Sequence, residues 1–436
     1  MINCFIPFLS LPQARQTVRA LGLCDRIKNI YLLATEKIPD EVEGCEMLMI
    51  DSPASTATFR TIALHADTAY TLLYTKYTAF EPGQFAFERL LAIAGDTNAG
   101  MLYADRYLLK NGNSQQAPVI DYQKGSLRDD FDFGSLLFFR SSVLKQAVRA
   151  MDADYRFAGL YDLRLRVSEL AELVHVNEYL YSEVETDIRK SGEKLFDYVD
   201  PKNRAVQIEM EAVCTAYLKR VGGYLAPDFE PVTFDAGGFE QEASVIIPVR
   251  NRIRTIEDAI RSVLAQKTTF RFNLIIVDNH STDGTSEAIG KYTADGRVVH
   301  LVPERSDLGI GGCWNVGVHH PACGKFAVQL DSDDVYSGPD TLQKIVDAFY
   351  EQNCAMVVGT YRMTDFKMNE IPPGIIDHRE WTLENGRNNA LRINGLGAPR
   401  AFYTPVLRRI NLPNTSYGED YALGLRISRT WRIGRI

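Results

Sequence analysis

Ser244-Val245-Ile246-Ile247-Pro248-Val249-Arg250-Asn251-Arg252 is an apolar run that ends in a polar, basic turn. A short continuous apolar stretch bounded by such a turn reads as a buried strand. Downstream, Thr255 stands where a helix N-cap is expected, with Asp258 three residues on, and Ile256, Ala259, Ile260, Val263 and Leu264 form a helical stripe. A second apolar strand, Leu274–Val277, runs into Asp278, and a third, Phe326–Leu330, runs into Asp331. The helix after it is predicted from Leu342, Ile345, Val346, Phe349 and Tyr350. Strands alternating with helices predict an open, mainly parallel α/β sheet, which binds ligands beyond the carboxyl ends of its strands.

Those ends carry the polar residues. The first strand leads into Arg250-Asn251-Arg252, the second into Asp278-Asn279-His280-Ser281-Thr282-Asp283-Gly284-Thr285, the third into Asp331-Ser332-Asp333-Asp334. Three clusters far apart in sequence converge on one sheet edge. Taken alone, each has a plainer reading. Asp-Ser-Asp-Asp after a strand is more often a solvated turn than a metal site. Ser281–Thr285 is chiefly a turn and helix start. Gly309-Ile310-Gly311-Gly312 lacks the lysine and spacing of a phosphate loop and reads as a flexible loop. His319-His320 has no partner carboxylate at ligand spacing and reads as surface or packing. Glu419-Asp420 by itself is an ordinary acidic helix start.

Five segments in order, SVIIPVRNR, LIIVDNHSTDGT, GIGGCWNVGV, VQLDSDDVYSGPDTL and YGEDYALGLRIS, resemble the motifs of family-2 glycosyltransferases of the GT-A fold, over roughly Ser244 to Ser428. The resemblance implies that Pro248 and Arg250 line a nucleotide site, although the family often has an aromatic residue where Arg250 stands. It implies that Asp278 accepts from the base, that Asn315 lies near the nucleotide, and that Asp331 and Asp333 hold a divalent metal, Mg²⁺ or Mn²⁺, together with the nucleotide. Asp420 matches the catalytic base. The implied activity is inverting transfer from a nucleotide-diphosphate sugar, UDP-linked by expectation, to a glycan or lipid-linked acceptor. The residue types suit that chemistry. Hard carboxylate oxygens hold a cation that neutralises a leaving diphosphate, and a positioned carboxylate takes the proton of an acceptor hydroxyl. Asn388, Asn389, Asn394, Gly395, Arg400, Trp381 and Phe402 lie between the metal motif and the base, where acceptor contacts are expected.

The first half reads as a degenerate copy. Cys4–Pro7 echoes Val245–Pro248, Asn29–Leu33 echoes Asn273–Val277, Asn98–Met101 echoes Asn353–Met356, and Leu165–Ser168 echoes Leu425–Ser428. The offset drifts from 248 − 7 = 241 to 425 − 165 = 260, as loop insertions would make it do. In this alignment Ala34 stands opposite Asp278, Thr75 and Tyr77 opposite Asp331 and Asp333, Thr78 opposite Asp334, and Leu160 opposite Asp420. The acidic strand ends are gone while the apolar positions persist. The expected organisation is therefore two tandem GT-A-like domains. A domain without the acidic motifs spans 1–190, a helical linker 191–240 and a catalytic domain 241–436, the last expected to be short at its C-terminus.

Bulk composition fits this picture without naming a function. The 436 residues exceed one ordinary core, and 45% hydrophobic with 24% charged residues is the composition of a globular protein. A formal charge of −8 argues against a nucleic-acid partner. The seven cysteines are odd in number and lack C-x-x-C spacing, which reads as scattered thiols in a reducing compartment. No signal peptide or membrane-spanning stretch is legible, so the expected location is cytoplasmic, with room for peripheral association at an inner membrane and for a homo-oligomer. The principal alternative is a non-catalytic scaffold that binds nucleotide-sugar or glycan. A nucleotidyltransferase ranks lower, since no glycine follows the first strand.

Overall fold

The computed structural model describes residues 1–37, 40–110, 112–184, 203–235 and 237–436. The charged run through Glu185, Asp187, Arg189, Lys194 and Asp200–Pro201, and the boundary expected after residue 190, lie outside the described residues. The chain forms two compact units, Met1–Tyr224 and Leu225–Ile436.

In the second unit the strand β10 (Ala243–Val249) pairs in parallel with β11 (Phe272–Asp278) on one side and β13 (Phe326–Gln329) on the other. Beyond β11 lies β12 (Val298–Leu301), also parallel. Past β13 the direction reverses: β17 (Arg400–Tyr403) is antiparallel to β13 and to β14 (Met356–Val358), and β18 (Ile433–Arg435) runs parallel to β14. The order β12-β11-β10-β13-β17-β14-β18 is thus an open mixed α/β sheet with a parallel half. The central strands are buried on both faces, which is why they read as continuous apolar runs. Helix α7 (Ile256–Leu264) lays Ile256, Ala259, Ile260 and Val263 on the core, and α10 (Thr341–Gln352) does so with Leu342, Ile345, Val346 and Phe349. Each of the larger of these side chains contributes about 1.5–3 kcal/mol when fully buried. Thr255 is the N-cap of α7 by position, but its hydroxyl makes no capping bond; the first turn relies on Glu257 and Asp258 against the helix dipole.

The segment 225–230 belongs to this unit through side-chain clamps. Asn388 exchanges two bonds with the Leu225 backbone, and Arg387 donates to the carbonyls of Ala226, Asp228 and Arg429.

The first unit is built on β3 (Glu46–Met49), β2 (Ile27–Ala34), β1 (Ile2–Pro7), β4 (Tyr70–Tyr74), β8 (Leu136–Arg140), β6 (Met101–Lys110) and β9 (Leu173–Val184), adjacent in that order. Their relative directions match those of the second sheet step for step. So does the register. Cys4 faces Leu72 where Val245 faces Val328, and Met101 faces Phe139 where Met356 faces Phe402. Leu173 faces Met101 where Ile433 faces Met356. Two short strands, β5 (Phe80–Pro82) on β9 and β7 (Asn113–Ala117) on β6, extend this sheet. Helix α6 (Arg204–Arg220), expected within a linker, packs Val213, Cys214, Tyr217 and Leu218 with Tyr161 and Leu165 of α5 (Gly159–Leu170), inside the first unit.

Among the described residues the seven cysteines form no disulfide, and Cys4, Cys214, Cys313, Cys323 and Cys354 are buried. No described helix is long and apolar enough to cross a membrane.

Candidate active site

The carboxyl ends of β10, β11 and β13 bring three of the expected clusters to one edge. Asp278 closes β11 and is fully buried. Its Oδ1 accepts from the Ser281 N–H at 3.0 Å, its Oδ2 accepts from the Ser286 hydroxyl, and His300 lies 3.5 Å from Oδ2. Burial pushes this carboxyl up, but the bonds from Ser281 and Ser286 outweigh it and hold it below the usual carboxylate range. Beside it Asn279 donates to the Leu308 carbonyl, and its own Oδ1 is buried with no partner among the described residues. Pro248 is half-buried at the end of β10 and Arg250 is exposed in the turn that follows. Ser281–Thr285 forms a turn tied to Asn251 and Ile253, and α8 (Thr285–Gly290) starts from it, as its sequence led one to expect.

The Asp331–Asp334 turn follows β13. Asp331 is exposed, yet the protein around its carboxyl desolvates it enough to raise it, with Asp333 and Asp420 adding to the effect against the Gln329 bond and the Arg400 charge. Asp334 is pushed up to about 6, by desolvation first and then by Asp331 and Asp333. Asp333 lies 3.8 Å from the Arg252 guanidinium. These carboxylates crowd one another, and an added cation relieves that repulsion; this is the observation by which the residues fit a divalent ion. They do not form a closed cage. Among the described residues, the trio of ligand atoms within 4.8 Å of one another is Cys24, Asp25 and Glu88, in the first unit. A cation that keeps waters and substrate phosphates needs only one or two carboxylates from the protein.

Asp420 stands in the first turn of α13 (Glu419–Ser428), after Gly418, whose φ of +76° an L side chain rarely adopts. Its Oδ2 is 2.7 Å from Nη2 of Arg400, the first residue of β17. Arg400 is a buried hub: Nε donates to the Leu396 carbonyl at 2.7 Å and Nη1 to Gln329 Oε1 at 3.0 Å. Gln329 Nε2 then donates to Asp331 Oδ1 at 3.0 Å. Asp420 and Asp331 are therefore joined by Arg400 and Gln329. Gln329 was not among the expected site residues, and Arg400 had no assigned role. A lone glutamine closing the apolar strand before Asp331 was the available signal.

The remaining expected residues make contacts of their own. Asn315, on α9 (Ile310–His319), spends its amide on the Leu412 backbone, donating to the carbonyl at 2.8 Å and accepting from the N–H at 2.9 Å. Gly309–Gly312 is not a flexible loop but the start of α9, with backbone N–H groups of Gly309, Ile310 and Gly311 taken up by Asn414, Ser416 and Thr415. His319 bonds Asn411 and His320 accepts from the Ala322 N–H, in keeping with a packing role. Of the acceptor candidates, Asn388 and Asn389 are buried, Trp381 donates to the Ile433 carbonyl, and Phe402 sits in the core edge-on to Trp314.

At the matching register the first unit has a different composition. Ala34 closes β2, Thr75 and Tyr77 follow β4, and Leu160 is the second residue of α5. Beyond β4, Lys76 Nζ lies 2.6 Å from the buried Glu183, which also accepts from Arg106 at 3.0 Å and from the Ser135 hydroxyl. Charge at that strand end is balanced by the protein's own cations.

Residues 244–409 match the model of glycosyl transferase family 2. An uncharacterized glycosyltransferase of Rickettsia conorii is 38% identical over 200 residues, covering 45% of this chain and 32% of that protein. The putative teichuronic acid biosynthesis glycosyltransferase TuaG of Bacillus subtilis is 33% identical over 120 residues, 28% of this chain and 46% of that protein. The chain thus spans less than half the length of these curated relatives. Among solved structures, S. aureus TarS in complex with UDP-GlcNAc is 23% identical with a TM-score of 0.37, covering 45% of this chain and 56% of that one. The mannosyltransferase PcManGT from Pyrobaculum calidifontis, in complex with GDP-Man and Mn²⁺, is 18% identical with a TM-score of 0.35, covering 53% and 66%.

Proposed function

From the match of residues 244–409 to the glycosyl transferase family 2 model, we propose that this domain transfers a sugar from a nucleoside-diphosphate donor to an acceptor hydroxyl with inversion at the anomeric carbon. The donor is taken to be UDP-linked and the acceptor a carbohydrate or a lipid-linked glycan. The observation that carries the reading is the gathering of Asp278, the Asp331–Asp334 turn and Asp420 around one sheet edge, with Asp331 and Asp420 linked through Gln329 and Arg400.

In this reading Pro248, Arg250, Asp278 and Asn279 border the nucleoside. Asp331 and Asp333 hold a divalent ion, Mg²⁺ or Mn²⁺, which when bound offsets the negative charge of the departing diphosphate. Asp420 accepts the proton of the acceptor hydroxyl. The acceptor oxygen forms its bond to the anomeric carbon as the bond from that carbon to the diphosphate oxygen breaks, and the proton rests on the Asp420 carboxylate. Arg400, 2.7 Å from Asp420 Oδ2, holds that carboxylate in place. A single base suffices, because direct displacement needs no carboxylate nucleophile on the opposite face.

Calorimetric titration of UDP and of GDP, each with and without Mn²⁺, into the wild-type chain and Asp333→Ala tests the donor site. Mn²⁺-dependent binding of one nucleotide, lost in Asp333→Ala, is expected. Nucleotide binding that ignores both the metal and the substitution would sink the metal assignment and favour a binding module.

We also infer that the two units are tandem copies of one fold. The shared strand order, direction and register support this. Within it the first unit is a non-catalytic copy.

A further inference from the structure

We infer that Arg400 and Gln329 are positioning residues that set the metal-binding carboxylate Asp331 and the base Asp420 as one unit; this rests on the proposed donor site. Three observations carry it. The first is geometry. An arginine only donates and a carboxylate only accepts, so Gln329 can bridge them in one orientation alone, its oxygen towards Arg400 and its amide nitrogen towards Asp331. That bridge fixes which edge of Asp331 is spent on the protein and which oxygen stays free. The second is burial. Arg400 and Gln329 are 9% and 8% exposed, and the guanidinium meets Leu396, Gln329 and Asp420 with separate nitrogens, so the fork cannot turn without losing a bond.

The third observation is independent of the site's geometry. The register of β13 and β17 ends with Val328 opposite Ala401, and one step further along it stand Gln329 and Arg400, joined by their side chains. In the first unit that register position is the pair Leu73 and Leu137. Asp331 and Asp420 correspond there to Thr75 and Leu160. The bridging pair is polar in the unit that has the carboxylates and apolar in the unit that lacks them. A buried Gln–Arg pair kept only for sheet stability would have no reason to follow the carboxylates, because two leucines serve that sheet position.

The test uses the full chain and reads Mn²⁺ affinity in the presence of UDP, by calorimetry, for Gln329→Met, Arg400→Lys, Arg400→Gln and the double variant Gln329→Met/Arg400→Gln. Gln329→Met keeps volume and removes only the bridge. It is expected to weaken Mn²⁺ binding on the order of tenfold, the scale found when a partner that orients a metal ligand is lost. Arg400→Gln should do the same, and the double variant should be no weaker than the weaker single, since both cut one relay. Arg400→Lys, with one ammonium for three acceptors, should restore at most part of the affinity and covers the case in which Arg400→Gln does not fold. Unchanged Mn²⁺ affinity in Gln329→Met, or losses that multiply in the double variant, would overturn the relay while leaving the donor site standing. A wild-type chain whose UDP binding is indifferent to Mn²⁺ would overturn the donor site itself, and the relay with it.

Discussion

At the scale of single residues, the proposed base is held by Arg400 on one oxygen and by the Tyr421 N–H on the other. Asp420 touches Arg400 at 2.7 Å, so Asp420→Asn preserves an oxygen for the guanidinium to meet but removes the ability to take a proton. Donor binding should stay close to wild type while transfer falls about 10²–10⁴-fold, measured as UDP release with acceptor present. Transfer at the wild-type rate would move the base elsewhere. A second residue prediction concerns His378, which is buried and packs against Gly397. Burial first, and the Arg400 charge second, push its imidazole from 6.5 down to about 4. The unfolded chain takes up this proton near 6.5 and the folded chain does not until about 4. Stability is therefore complete above 6.5 and is lost as pH falls towards 4, by on the order of 3 kcal/mol from this one group. Urea midpoints at pH 7.5 and pH 5 should separate less for His378→Gln than for wild type; equal separation would rule His378 out. Neither point could be read from the sequence, because both depend on which side chain lies beside which across loops distant in the chain.

At the scale of elements, α9 illustrates how a glycine-rich run misleads. Three glycines in four residues, Gly309, Gly311 and Gly312, resemble a mobile loop. In the fold they serve close approach: a Cβ on Gly311 would sit 1.9 Å from the Pro413 carbonyl oxygen, and one on Gly309 2.6 Å from Thr415 backbone. The loop at 413–416 caps the helix and brings α13 against it, with Glu419 Cβ next to Gly311. Gly311→Ala should cost about 2–3 kcal/mol through overpacking against rigid backbone. Thermal unfolding measures it, and an unchanged midpoint would mean the loop is free to move away. The strands and amphipathic helices themselves were legible, since their pattern follows from burial of one or both faces. The N-cap of α7 was legible in position and not in mechanism: Thr255 is there, but its hydroxyl makes no bond to the helix.

At the scale of the whole molecule, two units share a strand plan and differ in what stands at the strand ends. Hydrogen exchange with UDP and Mn²⁺ should therefore slow amides around β11, the Asp331–Asp334 turn and the start of α13, and leave the strand ends of the first unit unchanged. Protection that appeared equally at Thr75–Thr78 would show that the first unit binds the nucleotide after all. Much of this plan could be read in one dimension. The apolar strands, the order of the acidic motifs and the slowly drifting echo between the halves are patterns of residue type along the chain, and hydrophobic burial enforces them locally. The sequence by itself thus determined the α/β class, the repeated strand plan and the identity of the carboxylates at the strand ends. Only the tertiary structure decided that α6 completes the first unit, that Asn315 and Asn388 hold backbone, and that Arg400 and Gln329 tie Asp331 to Asp420. The reason is physical. Burial depends on each residue's own chemistry, whereas a hydrogen-bonded relay depends on donors and acceptors that meet within about 3 Å only after β13, β17 and α13 have packed.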